Sequence, residues 1–426
     1  MRAKTTTLPN SLRVVTVAQP QLHRAHVALY VRVGSRFEAK ATNGISHFLE
    51  HMLYRGTDRL PSAHDVNLAF EQHGGYLYAA TQADYGVFSL TLPPESLAEA
   101  CDLFAEVLTR PRFFDIDIEK GIVQEEIRED LDDDGRQIDA DNLSRMLIYP
   151  QHPLGFTITG TAETVRSFDL SLLHDHHARH YTAENSVLVF AGAIEQSEVL
   201  ELAERSFGTM PRGERVVSEA PLHAQKKPRV RIIDNHASQT ELRVCFRAFA
   251  EGAPERAALD MLMRVVDDGM STRLYHRICD SQGLCYDVTG GLDAYEDDGI
   301  VDFAAGVLHE RTSKVTSEIL ALMGELAREG PTEKELAKAR RRATWEVTQL
   351  ADSAEELAGF YAHAALFGRN DTPDERLARN VNVTRDDVRD VARTIARPER
   401  VNVLAVGLLD KGEDKRLVEV VRAWRP

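Results

Sequence analysis

The chain has 426 residues, 67 of them Asp or Glu against 51 Lys or Arg, for a formal net charge of −16. Such acidity argues against nucleic acid and anionic lipid surfaces as partners. Hydrophobic residues make up 43 % of the chain, yet no apolar run approaches the ~18 residues of a membrane span, so a globular protein without a membrane partner is expected. The length predicts two domains of roughly 200 residues each. Cys101, Cys245, Cys279 and Cys285 form no C-x-x-C pair, and scattered free thiols predict a reducing, cytoplasmic setting. The start, Met1–Pro9, carries positive charge but no apolar stretch, so no signal peptide is expected.

In chain order, a strand is predicted at His26–Val33. The helix after it is predicted to begin at an N-cap, Asn43, and to stop before Gly56. Ile45, Phe48, Leu49, Met52 and Leu53 recur at helical spacing and form one apolar stripe. His47, Glu50, His51 and Tyr54 form a second stripe beside it. Four steps of ~100° bring His51 to within ~40° of His47. Two imidazoles facing one way supply two corners of a tetrahedral zinc site, and a carboxylate beside them can take a proton from an activated water. The pattern H-x-x-E-H reverses the metalloprotease signature H-E-x-x-H.

Gly74–Asp84 follows, with paired glycines ahead of alternating residues, and is predicted as an edge strand rather than a phosphate loop. Glu95–Leu108 is predicted helical. Ile116–Leu131 is an acidic helix with a buried stripe at Val123, Ile127 and Leu131, and Glu119 and Glu126 share one of its faces to within ~20°. A catalytic zinc site takes three protein ligands, and this helix offers a carboxylate, although composition does not select Glu126 over Glu125. Asp132–Gly135 lacks the alternating ligands of a calcium loop and is expected to be a solvated helix end. His174–His180 has histidines at helical spacing but is expected to be an ordinary helix rather than a second metal site.

The two halves echo each other at an offset of about 215 residues. Tyr181–Gly192 resembles Ala396–Gly407, and His26–Val33 resembles Glu241–Ala248. Helices are predicted at Ser197–Phe207, Glu255–Asp268 and Glu333–Gln349. Each half therefore reads as α+β: two similar domains of mixed, largely antiparallel sheet packed with helices. The polar segment Gly213–Arg229 is the expected linker between a domain over 1–214 and one over 228–426. The second half reads Leu259-Asp-Met-Leu-Met-Arg-Val-Val266 where H-x-x-E-H would recur, so a metal site is expected in the first half alone.

These motifs resemble the pitrilysin-type, or inverzincin, zinc peptidases, above all the short bacterial members related to the mitochondrial processing peptidase. In that family H-x-x-E-H is followed roughly 75 residues later by a glutamate ligand, with another glutamate seven positions before it. Glu126 lies 75 residues after His51 and seven after Glu119. Gly44–Thr57, His152–Gly155, Tyr181–Asn185 and Gly283–Tyr286 are also similar to the family's sequences. The resemblance implies one Zn2+ per chain on His47, His51 and Glu126, with Glu50 as base and Glu119 orienting ligands or water. It implies a peptide substrate bound as an added strand beside Tyr78, Ala79, Ala80 and Thr81, in a chamber that excludes folded proteins.

Two departures stand out. The family usually reads Asn-Ala-x-Thr where this chain has Tyr78-Ala79-Ala80-Thr81, and packing is the simpler expectation for Tyr78. The family's second domain carries an Arg and a Tyr, seven apart, that hold substrate and help the oxyanion. Here Tyr286 is present, but Cys279 stands at the arginine position, and a thiol offers no charged fork. The expected partner is therefore a homologous subunit that carries an Arg/Tyr pair, in a heterodimer; the rival expectation is a homodimer or monomer. Two other roles fit the resemblance: a structural or assembly subunit of the same fold, and a maturation protease for one dedicated peptide.

Overall fold

The computed structural model describes residues 3–426; Met1 and Arg2, where the expected leaderless start begins, lie outside the described residues. The chain divides into two compact units. The first holds a six-stranded sheet of β1 (Lys4–Thr7), β2 (Arg13–Ala18), β3 (Ala25–Val31), β4 (Leu77–Thr81), β5 (Gly86–Leu92) and β6 (Ser186–Gly192), in the order β1-β2-β6-β3-β5-β4. Only the β2–β6 pair is parallel. β6, Ser-Val-Leu-Val-Phe-Ala-Gly, is buried along its whole length, as a continuous apolar run predicts for a strand covered on both faces.

The second unit holds β7 (Arg229–Ile233), β8 (Thr240–Arg247), β9 (Cys285–Ala294), β10 (Gly299–Val307) and β11 (Val401–Val406), in the order β7-β11-β8-β10-β9. Here too one pair, β7–β11, is parallel and the others are antiparallel. Without β1, the first sheet has this same order and this same pattern of directions. The expected α+β class and the repeat at about 215 residues both hold at the level of strand topology.

The expected contiguous domains, 1–214 and 228–426, need correction. The first unit comprises 1–129, 156–219 and 347–374; the second comprises 130–155, 220–346 and 375–426. Each half of the sequence donates one helix to the other unit. Ala140–Ile148 packs Ala140 and Leu143 onto Leu404 and Val406 of β11. Ala354–Leu366 packs Ala354, Leu357, Ala358 and Ala362 onto Val187, Val189 and Ala28 of the first sheet. The two helices occupy corresponding places in the repeat. Small residues on both let helix and sheet approach closely, which periodicity alone does not assign to one sheet or the other.

Candidate metal centre

The helix Ile45–Leu53 is built as its two stripes predict. Ile45, Phe48, Leu49, Met52 and Leu53 are all buried, while Glu50, His51 and Tyr54 are half-buried. Its start differs from expectation: the N-cap is Gly44, at φ 92°, not Asn43. The Asn43 amide donates to Glu38 and to the Thr157 carbonyl. The buried Glu38 carboxylate instead takes the first backbone donors, from Gly44 at 2.8 Å and Ser46 at 2.9 Å. Gly44 also touches backbone: a Cβ there would lie 2.6 Å from both Gly160 Cα and Thr159 O. The helix is thereby fixed in height and rotation. Ser46 reaches His176 Nε2 at 3.1 Å and Phe48 packs on Phe168.

The acidic helix Ile116–Glu129 stops two residues before Leu131 and buries Val123 and Ile127. It also settles the choice of glutamate. Glu125 is exposed and pairs with Arg128; Glu126 faces the motif helix. His47 Nε2 lies 3.4 Å from Glu126 Oε1, and His51 Nε2 lies 3.6 Å from Glu126 Oε2. Donor atoms of His47, His51 and Glu126 all fall within 4.8 Å of one another, the one such group of three among the described residues. Ligands ~2.0–2.2 Å from a tetrahedral ion stand roughly 3.3–3.6 Å apart, so the donor set fits zinc in chemistry and spacing. Imidazole lone pairs and carboxylate oxygens are all acceptors, and they repel at this distance unless a proton or cation lies between them.

Glu119 is placed behind His51. Its Oε1 lies 2.8 Å from His51 Nδ1, which leaves Nε2 to face Glu126. Arg55, one helical turn beyond His51, binds the other oxygen of Glu119. Burial works against the charge on His51, but the hydrogen bond and charge of Glu119, with Glu126 and Glu50 behind it, hold its pKa above the ordinary value. Burial likewise pushes the Glu119 carboxyl up, and the hydrogen bonds from His51 and Arg55 overcome it and hold the pKa low. Glu126 is held low first by its hydrogen bond with His47, against a smaller burial effect. Both carboxylates are thus kept ionised, as ligand and orienting group must be.

Glu50 points to the edge of the first sheet, where Thr81 of β4 donates its hydroxyl to Oε2. The Tyr54 hydroxyl donates to the Leu77 carbonyl at the other end of β4. β4 pairs with β5 alone, so it is the edge strand expected. Thr81, expected to line the substrate strand, also holds the Glu50 carboxylate. Tyr78 is 52 % exposed, so the packing expectation for it fails. Ala79 and Ala80 are half-buried between these two residues.

Tyr286 lies on β9 in the second unit and is 94 % exposed. Cys279 has Cys285 as its neighbour, with sulfurs 3.8 Å apart. Neither nearby arginine replaces the missing one: Arg273 is held by Glu335, and Arg277 by Glu318 and Glu325. The His174–His180 segment is an ordinary helix, Leu170–His180, as expected. His177 and His180 bind the carbonyls of Leu108 and Arg32. Asp132 binds the backbone N–H groups of Asp134 and Arg136 in a small hairpin, not a helix end.

Sequence reasoning missed three supports of the site: Glu38, Arg55 and the Thr81–Glu50 bond. Arg55 carried a legible signal, being four residues from His51 on the helix face of the motif. Glu38 and the Thr81 contact depend on loops and strands folding back, and no spacing rule reports them.

Residues 13–161, which hold H-x-x-E-H and Glu126, match the family described as Insulinase (Peptidase family M16). Residues 167–343, which hold neither, match the description Peptidase M16 inactive domain. An uncharacterized zinc protease of Mycobacterium bovis is 32 % identical over 395 residues, spanning 91 % of this chain and 89 % of the relative. The uncharacterized zinc protease YmxG of Bacillus subtilis is 29 % identical over 91 % of this chain and 94 % of its own. Among solved structures, a protease from Helicobacter pylori superposes with a TM-score of 0.88 at 20 % identity, over 96 % of this chain and 99 % of that one. A putative M16-like peptidase from Alicyclobacillus acidocaldarius gives 0.83 at 20 % identity, over 95 % and 98 %. These two structural matches speak for the fold, whereas the mycobacterial relative and the two family matches speak for descent, and by them the chain belongs to peptidase family M16.

Proposed function

We infer that the chain is a zinc-dependent endopeptidase acting on short or unfolded peptides. The observation that carries this reading is the convergence of His47, His51 and Glu126 within 4.8 Å, beside a glutamate held by the sheet edge. These three residues would hold one Zn2+ per chain, which supplies Lewis acidity toward a water molecule and the scissile carbonyl. Glu50 accepts the proton of the attacking water and returns it to the leaving amine. Thr81 fixes the direction of the Glu50 carboxylate, and Glu119 with Arg55 fixes the His51 ring. The peptide joins β4 as an added strand, so the scissile bond runs past Glu50.

Cys279 leaves Tyr286 without its usual arginine, so the pair that would serve the oxyanion is incomplete in this chain. The chain therefore works as the zinc-bearing subunit of a heterodimer whose partner presents the Arg/Tyr pair, with peptides processed in an enclosed chamber in the cytoplasm. No helix of the described residues is long and apolar enough to cross a membrane. Glu50→Gln tests the chemistry: zinc content stays at one per chain while peptide cleavage falls by about 10²–10⁴-fold. Unchanged cleavage removes Glu50 as the base. Vigorous zinc-dependent cleavage by the purified chain alone removes the heterodimer.

A further inference from the structure

The two faces of β4 differ. Leu77 and Ala79 pair across the ladder with Leu90 and Phe88, which are buried in the core. Thr81 shares that side and reaches Glu50. Side chains alternate along a strand, so Tyr78, paired with Ser89, points to the opposite side. Tyr76, two residues earlier, continues the same alternation. Tyr76 and Tyr78 are 71 % and 52 % exposed, whereas Leu77 between them is 7 % exposed. Two large aromatic rings thus stand in water along the one unpaired edge next to the base.

We propose that Tyr76 and Tyr78 form an aromatic shelf that selects extended peptides with apolar side chains at every second position. The proposal rests on the reading that a peptide joins β4. An added strand alternates as β4 does: one set of its side chains turns toward Glu50 and the other set lies over the tyrosines. Directly opposite and diagonal neighbours in such a pair stand about 4.5–8 Å apart, within reach of an aromatic ring. Tyrosine suits the task because its ring is rigid and its hydroxyl stays hydrated while the ring face is covered. A second copy of the chain could also cover an open edge. At a net charge of −16 per copy, like-charge repulsion disfavours it against a neutral or basic peptide.

The test uses the full chain carrying Glu50→Gln and two end-labelled decapeptides. One alternates Phe or Val with Lys; the other has Ser in place of each apolar residue. Fluorescence anisotropy is expected to show about tenfold tighter binding of the apolar peptide. Tyr76→Ser with Tyr78→Ser in the same background is expected to erase that ratio without moving the melting temperature, since both rings face solvent. Equal affinities before the double substitution, a ratio that survives it, or no binding of either peptide each overturns the shelf. So does a dimer, seen by sedimentation, that the double substitution dissolves and that blocks the peptides. Zinc titration of the same chain separates the two readings: no zinc bound with the ratio intact sinks the peptidase and leaves the shelf standing.

Discussion

Thr81 on β4 donates its hydroxyl to Oε2 of Glu50 on the motif helix, which ties the Glu50 carboxylate to the sheet edge. Among the described residues Glu50 has no other side-chain hydrogen bond, so this one sets the direction of its carboxylate. Thr81→Val keeps the shape and removes the donor. It is expected to lower kcat by about tenfold, the worth of one hydrogen bond to a charged group, with KM little changed. Thr81→Ser restores the donor and most of the rate. A loss confined to KM would show that Thr81 acts on substrate instead.

Glu119 and Arg55 form the next prediction. Glu119→Gln leaves the fold intact but weakens the hold on His51 Nδ1, and zinc affinity is expected to drop by about 10–100-fold in a chelator competition. Arg55→Met strands a buried carboxylate and is expected to cost about 3–5 kcal/mol of stability in urea unfolding. Zinc affinity unchanged in Glu119→Gln would separate Glu119 from the metal ligands.

Gly44→Ala places a methyl where backbone already stands, 2.6 Å from Gly160 Cα, at a φ of 92° that disfavours any side chain. The expected cost is at least about 2 kcal/mol, together with loss of zinc binding because the motif helix must shift. Gly135→Ala is the control: it too has positive φ, but nothing lies within 4 Å, so zinc binding is retained. Equal zinc loss in both variants would remove the packing argument.

Acid is expected to destabilise the chain through its buried histidines. Burial lowers His26, His177 and His180 to about 4 from 6.5. In the folded state these rings stay neutral between those values, while in the unfolded chain they take up protons. Unfolded protein thus binds more protons in this window, and stability falls as pH drops from about 6.5 to about 4, then levels. Each histidine contributes up to about 3 kcal/mol of that fall. Urea midpoints measured across the window give the slope, and His177→Gln is expected to make it shallower by one proton. A midpoint flat with pH rules the mechanism out.

The reach of the sequence is uneven in an instructive way. H-x-x-E-H and its apolar stripe are local, since both follow from 3.6 residues per turn, and the helix Ile45–Leu53 carries them as predicted. Glu119 and Glu126 share a face for the same reason. Spacing within the acidic helix could not choose Glu126 over Glu125, because that choice depends on which face meets the motif helix. The exchange of Ala140–Ile148 and Ala354–Leu366 between units was hidden for a related reason. An amphipathic helix declares that it will be covered but not by which sheet.

By itself, then, the sequence determined the elements, the repeat and the pairing of two imidazoles on one helix face with an acidic helix that offers a carboxylate, since short-range periodicity and residue chemistry carry that information. The tertiary structure alone decided the Glu38 cap, the Arg55–Glu119–His51 chain, the Thr81 anchor and the helix exchange. Each joins residues far apart in sequence, and only closure of the intervening loops brings their hydrogen-bonding groups within about 3 Å.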